Sequence, residues 1–393
     1  MKKGILIIGI LFLILFLSGQ EIQEEAIAIN IEVPVRVFTK GKFVEELNIE
    51  DFEVYEDGVL QKIEALYLVK KSVIEREETE LDKKLARRIY LPEISRTFVL
   101  VFELMDYFPK IGETLEYFFD NVFLPDDSLY IVTPRKTYSL KKELFEKTPK
   151  EIIIDQLKSK LSKDITLAAS ELKRMIRELE SMAPDIARDD SGSVRMAAEM
   201  IMRQIRDFRY FDEKKLMEFR DQLKDIEGQK YVFLFYQKKI VAFPSEIPVP
   251  DDVERPPIGF DVDKIKKAFS DSLISVHFIF ATKTDQHRLD VYRMNPSAQR
   301  EGVDPSESGL QLLDQSEEIF GAFYGMAEAT GGIAESSANI ASAFERAALA
   351  SENYYLLYYT PKNYKADGKF KKIEVKVKGK KYKVTHRAGY IAD

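Results

Sequence analysis

Residues 26–38, AIAINIEVPVRVF, alternate with period two, so Ile29, Ile31, Val33, Val35 and Val37 share one face of a half-buried strand. Lys40-Gly41-Lys42 turns the chain. Residues 51–69, DFEVYEDGVLQKIEALYLV, then read as two further strands around Glu56-Asp57-Gly58, since Asp-Gly between alternating apolar runs is a strong hairpin signal. Residues 70–95 are charged and helix-permissive, and predict a linker carrying one helix. From 96 the grammar changes. RTFVLVFEL (96–104), YVFLFY (231–236) and SVHFIFA (275–281) are continuous apolar runs of the kind found in strands buried on both faces. DSLYIVT (127–133) and KTYSL (136–140) add two more strands. Between these runs, 110–123, 141–162 (divided by Pro149), 261–271, 314–329 and 337–350 carry helical spacing.

Strand alternating with helix implies crossovers and a parallel sheet. The expected fold class is therefore α/β, a doubly wound, mostly parallel sheet, with a small β-domain formed from N- and C-terminal strands. Two segments interrupt the alternation. Residues 167–227 are Met- and Arg-rich helix, split near Pro184 to Gly192, and read as an insertion; 243–260 hold five prolines and read as an irregular loop. The end returns to strands in YYLLYYT (354–360), KFKKIEVKVK (369–378) and KYKVTHRAGYI (381–391). Residues 361–387 carry eleven Lys/Arg against two acids, whereas 21–60 carry eleven acids against three bases. Paired strands of opposite charge account for that asymmetry and place both chain ends in one β-domain; a basic strip for anionic envelope polymers is the alternative reading. The expected divisions are 1–20, 21–70 (β-domain, first part), 71–95 (linker), 96–352 (α/β domain) and 353–393 (β-domain, second part).

The first twenty residues, MKKGILIIGILFLILFLSGQ, form an address. Lys2 and Lys3 precede a thirteen-residue apolar run from Ile5 to Leu17, short against the roughly 20 residues of a membrane span but normal for a secretory leader. The expected location is exported, periplasmic or secreted, with membrane contact only through this segment if it stays uncleaved.

Composition removes much chemistry. The 393 residues contain no cysteine and three histidines, His277, His287 and His386, too far apart in sequence for a local metal motif. The formal net charge of −7 argues against nucleic-acid binding. No nucleophile motif of the G-x-S-x-G kind is present. His277, inside an apolar run, reads as a core or strand-end histidine; Tyr354, Tyr355, Tyr358 and Tyr359 read as sheet faces; Met196, Met200 and Met202 read as helix packing; Gly331-Gly332 reads as a helix stop.

Four strings carry a family resemblance: LNIEDFEVYEDGVLQKI (47–63), RTFVLVFEL (96–104), GQKYVFLFY (228–236) and ENYYLLYYTPKNYKADGKFKKIEVKVK (352–378). They resemble the von Willebrand factor type A (VWA) superfamily, and within it the secreted bacterial VWFA-related proteins of acidobacterial type. The resemblance implies a Rossmann-like sheet whose ligands sit at the carboxyl ends of the strands. It also implies a metal-ion-dependent adhesion site there, with a D-x-S-x-S signature, a later threonine and an aspartate after the fourth strand, suited to Mg²⁺.

At the matching positions this chain reads Glu103, Met105 and Tyr107, with Thr166 for the threonine and Phe235-Tyr236-Gln237-Lys238 where the aspartate would stand. A thioether and a phenol are poor substitutes for serine oxygens, and Lys238 opposes a divalent cation. The expectation is a degenerate site with no metal and no cofactor. The protein is expected to be a non-enzymatic VWA-like protein-binding or scaffold module, its rim formed by Asp106, Thr166, Gln237, Lys238, Pro248 and Pro250. The partner would be a protein in the cell envelope or outside the cell. Two alternatives stay open: Mg²⁺-dependent adhesion, requiring Glu103, Asp106 and Thr166 to converge, and a carboxylate-based envelope hydrolase using Glu103 and Asp106.

Overall fold

The computed structural model describes residues 29–79, 90, 92–140, 142–186, 188, 191–209, 213–237, 241–244, 247, 261–282, 310–313, 316–379 and 381–393. The leader segment 1–20 and residues 80–89 of the expected linker lie outside them.

The N-terminal period-two run forms β1 (Ile31–Thr39), with Val33, Val35 and Val37 fully buried. After β2 (Lys42–Phe43) come β3 (Phe52–Glu56) and β4 (Val59–Gln61), joined through Asp57 and Gly58 at φ 47° and 81°. Positive φ at both turn residues is what a right-twisted two-residue hairpin requires. β5 (Ile63–Lys70) and β6 (Val73–Thr79) follow, and the chain returns late to the same region as β15 (Asn353–Tyr359), β16 (Phe370–Val377), β17 (Lys383–His386) and β18 (Gly389–Ile391). One antiparallel sheet has the order β17-β1-β15-β5-β6, with Val33 opposite Leu357; a second has the order β18-β16-β3-β4. Val33, Val35 and Val37 of the first sheet pack with Phe52, Val54, Ile373 and Val375 of the second.

The continuous apolar runs form a separate sheet, ordered β14-β12-β10-β7-β8-β9. Its members are β7 (Arg96–Glu103), β8 (Ser128–Val132), β9 (Thr137–Leu140), β10 (Gln229–Gln237), β12 (Ile274–Ala281) and β14 (Ala334–Ser337); β11 (Val241–Pro244) pairs apart with β13 (Leu310–Leu313). The helices are α1 (Pro109–Tyr117), α2 (Lys142–Lys147), α3 (Lys150–Ile186), α4 (Ser193–Arg209), α5 (Glu213–Lys224), α6 (Val262–Asp271), α7 (Ser316–Ala329) and α8 (Ile340–Glu352). Alternate residues of each run serve opposite faces. Phe98, Leu100, Phe102, Phe233 and Phe235 meet α1, α3 and α8 on one side. Val99, Val101, Val232 and Leu234 meet α5, α6 and α7 on the other.

The expected doubly wound, mostly parallel sheet with a small β-domain is overturned. Among the described residues the fold is mixed α/β, about 34% strand, with a curled antiparallel sheet beside a mixed one. Among the described residues, ten strand pairings are antiparallel and four parallel. Short connections account for several of these, because a parallel neighbour needs a crossover while a tight turn gives an antiparallel one. β9 folds back on β8 in this way. So does β6, which occupies part of the expected helical linker: Lys71 and Ser72, both at positive φ, turn the chain straight back onto β5. The charges of VIEREET suit an edge strand.

The helical segment also differs from expectation. α3 is continuous from Lys150, so the helix that covers the sheet simply extends into the region read as an insertion. Its far half packs Leu172, Met175 and Leu179 against Ala198, Ile201, Met202 and Ile205 of α4, and Ile247 from the proline-rich loop joins that core. Met202 is buried as expected, but Met196 and Met200 are exposed.

A buried polar seam joins the two kinds of sheet. Arg36 of β1, 1% exposed, donates to the Ala350 carbonyl of α8, to Ser275 Oγ of β12 at 3.2 Å and to the Gly331 carbonyl at 3.5 Å. Its guanidinium lies against the rings of Tyr231 and Tyr354. Gln229 Nε2 donates to Glu32 Oε1 at 2.7 Å and the Tyr358 hydroxyl to Glu32 Oε2 at 2.9 Å. Burial raises the Glu32 pKa, and the hydrogen bond from Tyr358 works against that rise. His277 is fully buried, stacked on Phe233 at 4.7 Å, with Nδ1 accepting from the Ile333 N–H. Burial pushes its pKa down to about 3, so it is neutral.

Gly331-Gly332 does more than end α7. A Cβ on Gly332 would lie 1.8 Å from the Val276 carbonyl oxygen, whereas one on Gly41, at φ +78°, would meet nothing within 4 Å. Gly332→Ala should therefore cost about 3 kcal/mol, and Gly41→Ala only the about 1 kcal/mol of its left-handed backbone. Urea unfolding of both variants checks this; equal midpoints would contradict the close approach.

Candidate functional site

β7 and β10 run parallel and end together, with Glu103 in register with Tyr236 and Gln237 one residue beyond. After Glu103 the chain leaves the sheet, buries Leu104 and Phe108, and enters α1 with Pro109 in its first turn, where a missing N–H costs nothing. That departure takes backbone N–H groups out of the ladder. Gln237, 1% exposed, restores two partners: its Oε1 accepts from the N–H of Met105 at 2.9 Å and of Asp106 at 3.1 Å. The side chain at the end of one strand thus fixes the loop that follows its neighbour.

The remaining sequence-predicted residues are placed as follows. Glu103 is half-buried and lines an apolar pocket beneath α5 and α7. Met105 packs against the α3–α4 core. Tyr107 packs on the core shared by α1, α3 and α8; burial raises its hydroxyl pKa and nearby Lys158, itself paired with Glu116, pulls it back. Thr166 is exposed in the middle of α3, its carbonyl accepting from the Ser170 hydroxyl at 2.7 Å. Glu103 and Asp106 are already engaged with neighbouring groups. Lys238, Pro248 and Pro250 lie outside the described residues. The structure thus brings Met105, Asp106 and Gln237 into direct contact, with Glu103 two residues before Met105, and it buries Gln237, which had been expected on the open rim. The physical reason is the pair of amides that have left the sheet ladder, which the Gln237 side chain reaches from that strand end.

Sequence reasoning passed over Asp164, two positions before Thr166. It is 4% exposed; its Oδ2 accepts from the Tyr138 hydroxyl at 2.7 Å and lies 3.0 Å from Thr133 Oγ1. Burial, followed by the Asp164 carboxylate, pushes the Tyr138 hydroxyl up to about 12. The signal was available: position 164 falls on the helical stripe of Leu157, Leu161, Ile165 and Ala168, where a carboxylate must have partners. This cluster anchors the β8–β9 hairpin on α3.

Among the described residues, the chemistry on offer at the strand ends is amide donors and acceptors, the carboxylates of Glu103 and Asp106, one thioether and one phenol. Among the described residues, no three His, Asp or Glu side chains converge as a metal-binding group. No described helix is long and apolar enough to cross a membrane. A scan against protein-family models, a search of curated proteins and a search of solved structures each return no match.

Gln237→Ala should strip the acceptor from two part-buried amides, destabilising the protein by about 1–2 kcal/mol. It should also speed amide exchange at Met105 and Asp106 by about tenfold or more. Gln237→Glu, which keeps an acceptor, should retain much of the protection. Hydrogen-exchange NMR checks the pair of amides, and unchanged protection in the alanine variant would refute the clamp.

Proposed function

We propose that this protein is a non-enzymatic, exported binding or scaffold module that presents its strand-end loops to a protein partner in the cell envelope or outside the cell. The observation that carries this reading is the Gln237 clamp. The loop after β7 takes its shape from the protein's own amide group, so a preformed face is available to a partner without a divalent cation. Loops on a rigid sheet are where binding residues concentrate. The proline-rich 243–260 segment is tied to this region through Ile247, which is buried in the α3–α4 core, where Met105 also packs. The secretory character of residues 1–20 supports export. The four strings that resemble VWFA-related proteins support a binding role of the same kind, as a resemblance of sequence.

The test is capture from envelope extracts, with purified protein as bait, comparing the intact chain with a 243–260 loop replacement. A partner retained by the intact chain and lost by the replacement, equally in Mg²⁺ and in EDTA, is expected. Thermal melts in Mg²⁺ and EDTA should superimpose. Capture that requires Mg²⁺, with a matching upward shift of the melt, would overturn the metal-independent reading; a replacement that captures as well as the intact chain would overturn the rim.

A further inference from the structure

The pocket lined by Glu103 has a volume of about 130 Å³, is partly open to solvent, and is walled by residues from six elements. Val101 of β7, Val132 of β8, Val276 of β12, Leu216 of α5 and Met326 of α7 contribute apolar surface from separate directions. Its polar lining comes from Glu103 and Lys215. Interiors normally close such gaps, because every wall atom facing empty space forgoes its dispersion contacts. An engineered apolar cavity of about 150 Å³ in another protein accepts benzene, which sets the scale of ligand such a volume holds. A pocket of this size, with walls that are mostly apolar, is well matched to one aromatic ring or a short branched alkyl group.

The two polar groups decide which end of a ligand lies where. Glu103 is half-buried at a strand end, and Lys215 is exposed on α5. A charge in the more enclosed position acts through a lower effective dielectric. The Glu103 carboxylate has about four lone-pair sites, enough to take a ligand donor beside the group that already engages it. We propose that this pocket is a binding site for a small amphiphile, with a compact hydrocarbon group between the sheet and helices α5 and α7 and a cationic amine at Glu103. This goes beyond the protein-binding reading and does not depend on it.

The probes are benzene and 2-phenylethylamine, titrated into the intact protein while the methyl resonances of Val101, Val132, Leu216, Val276 and Met326 are followed by NMR. Both probes should give saturable shifts confined to those methyls, with the amine about tenfold tighter. Glu103→Gln should remove that advantage and leave benzene binding unchanged. Val276→Phe, which fills the pocket, should abolish binding of both. If that variant fails to fold, the wild-type titration still decides. Absence of saturable shifts with either probe would overturn the site. Equal affinities for the two probes, or an amine advantage that survives Glu103→Gln, would overturn the assignment of the cationic end. Partner capture from envelope extracts reads neither result, so failure of one proposal leaves the other standing.

Discussion

The placement of one buried guanidinium organises this molecule. Arg36 sits at the middle of a strand in the antiparallel sheet, yet its donors go to Ser275, Gly331 and Ala350, which belong to the mixed sheet and the segments around it. Among the described residues its hydrogen bonds go to two carbonyls and a hydroxyl, with aromatic faces of Tyr231 and Tyr354 beside it. A buried charge held in this way is costly to strand, so the two layers must keep their relative position for the guanidinium to stay satisfied. Further crossings reinforce it. The Ala388 N–H donates to the Ala329 carbonyl at 2.7 Å, the Ser270 hydroxyl to the Gly389 carbonyl at 2.9 Å, and the Ile391 N–H to Asp271 Oδ1 at 2.7 Å.

That seam lies beside the amino ends of β10 and β12, where Gln229 and Ser275 stand. The loop held by Gln237 lies at the opposite, carboxyl ends of the strands. The division has a physical logic. Polar groups that tie the layers together are buried at one end, and loops are carried at the other by strands buried on both faces. The Gln237 clamp is the same device on a smaller scale, since a buried neutral amide satisfies two backbone donors that would otherwise need water or an ion. Binding by a preformed loop avoids part of the ordering entropy that a mobile loop loses on association.

Much of this was legible in the sequence and some was not. Runs such as RTFVLVFEL and YVFLFY announced strands buried on both faces, because Phe98 to Phe102 and Val232 to Phe235 are uninterrupted apolar stretches. The Asp57-Gly58 turn and the pairing of the two chain ends could be read from turn chemistry and charge asymmetry. Sheet direction could not: apolar periodicity says that a strand is buried and is silent on which neighbour it takes, so the antiparallel character was underestimated. β6 was hidden because VIEREET is charged enough to pass for exposed helix, and only the Lys71-Ser72 turn decides otherwise. Gln237 was read as open rim because its burial depends on Met105 and Asp106, far away in sequence. Asp164 was missed because attention went to the exposed threonine beside it.

Arg36 locks the two layers together, and differential scanning calorimetry of the intact chain and of Arg36→Met checks whether they unfold as one cooperative body. The intact protein should unfold in one transition whose calorimetric and van't Hoff enthalpies agree. The variant should melt lower, by an amount corresponding to about 3 kcal/mol, with the transition broadened or split as the layers uncouple. A variant that melts in a single step at the temperature of the intact protein would contradict the account.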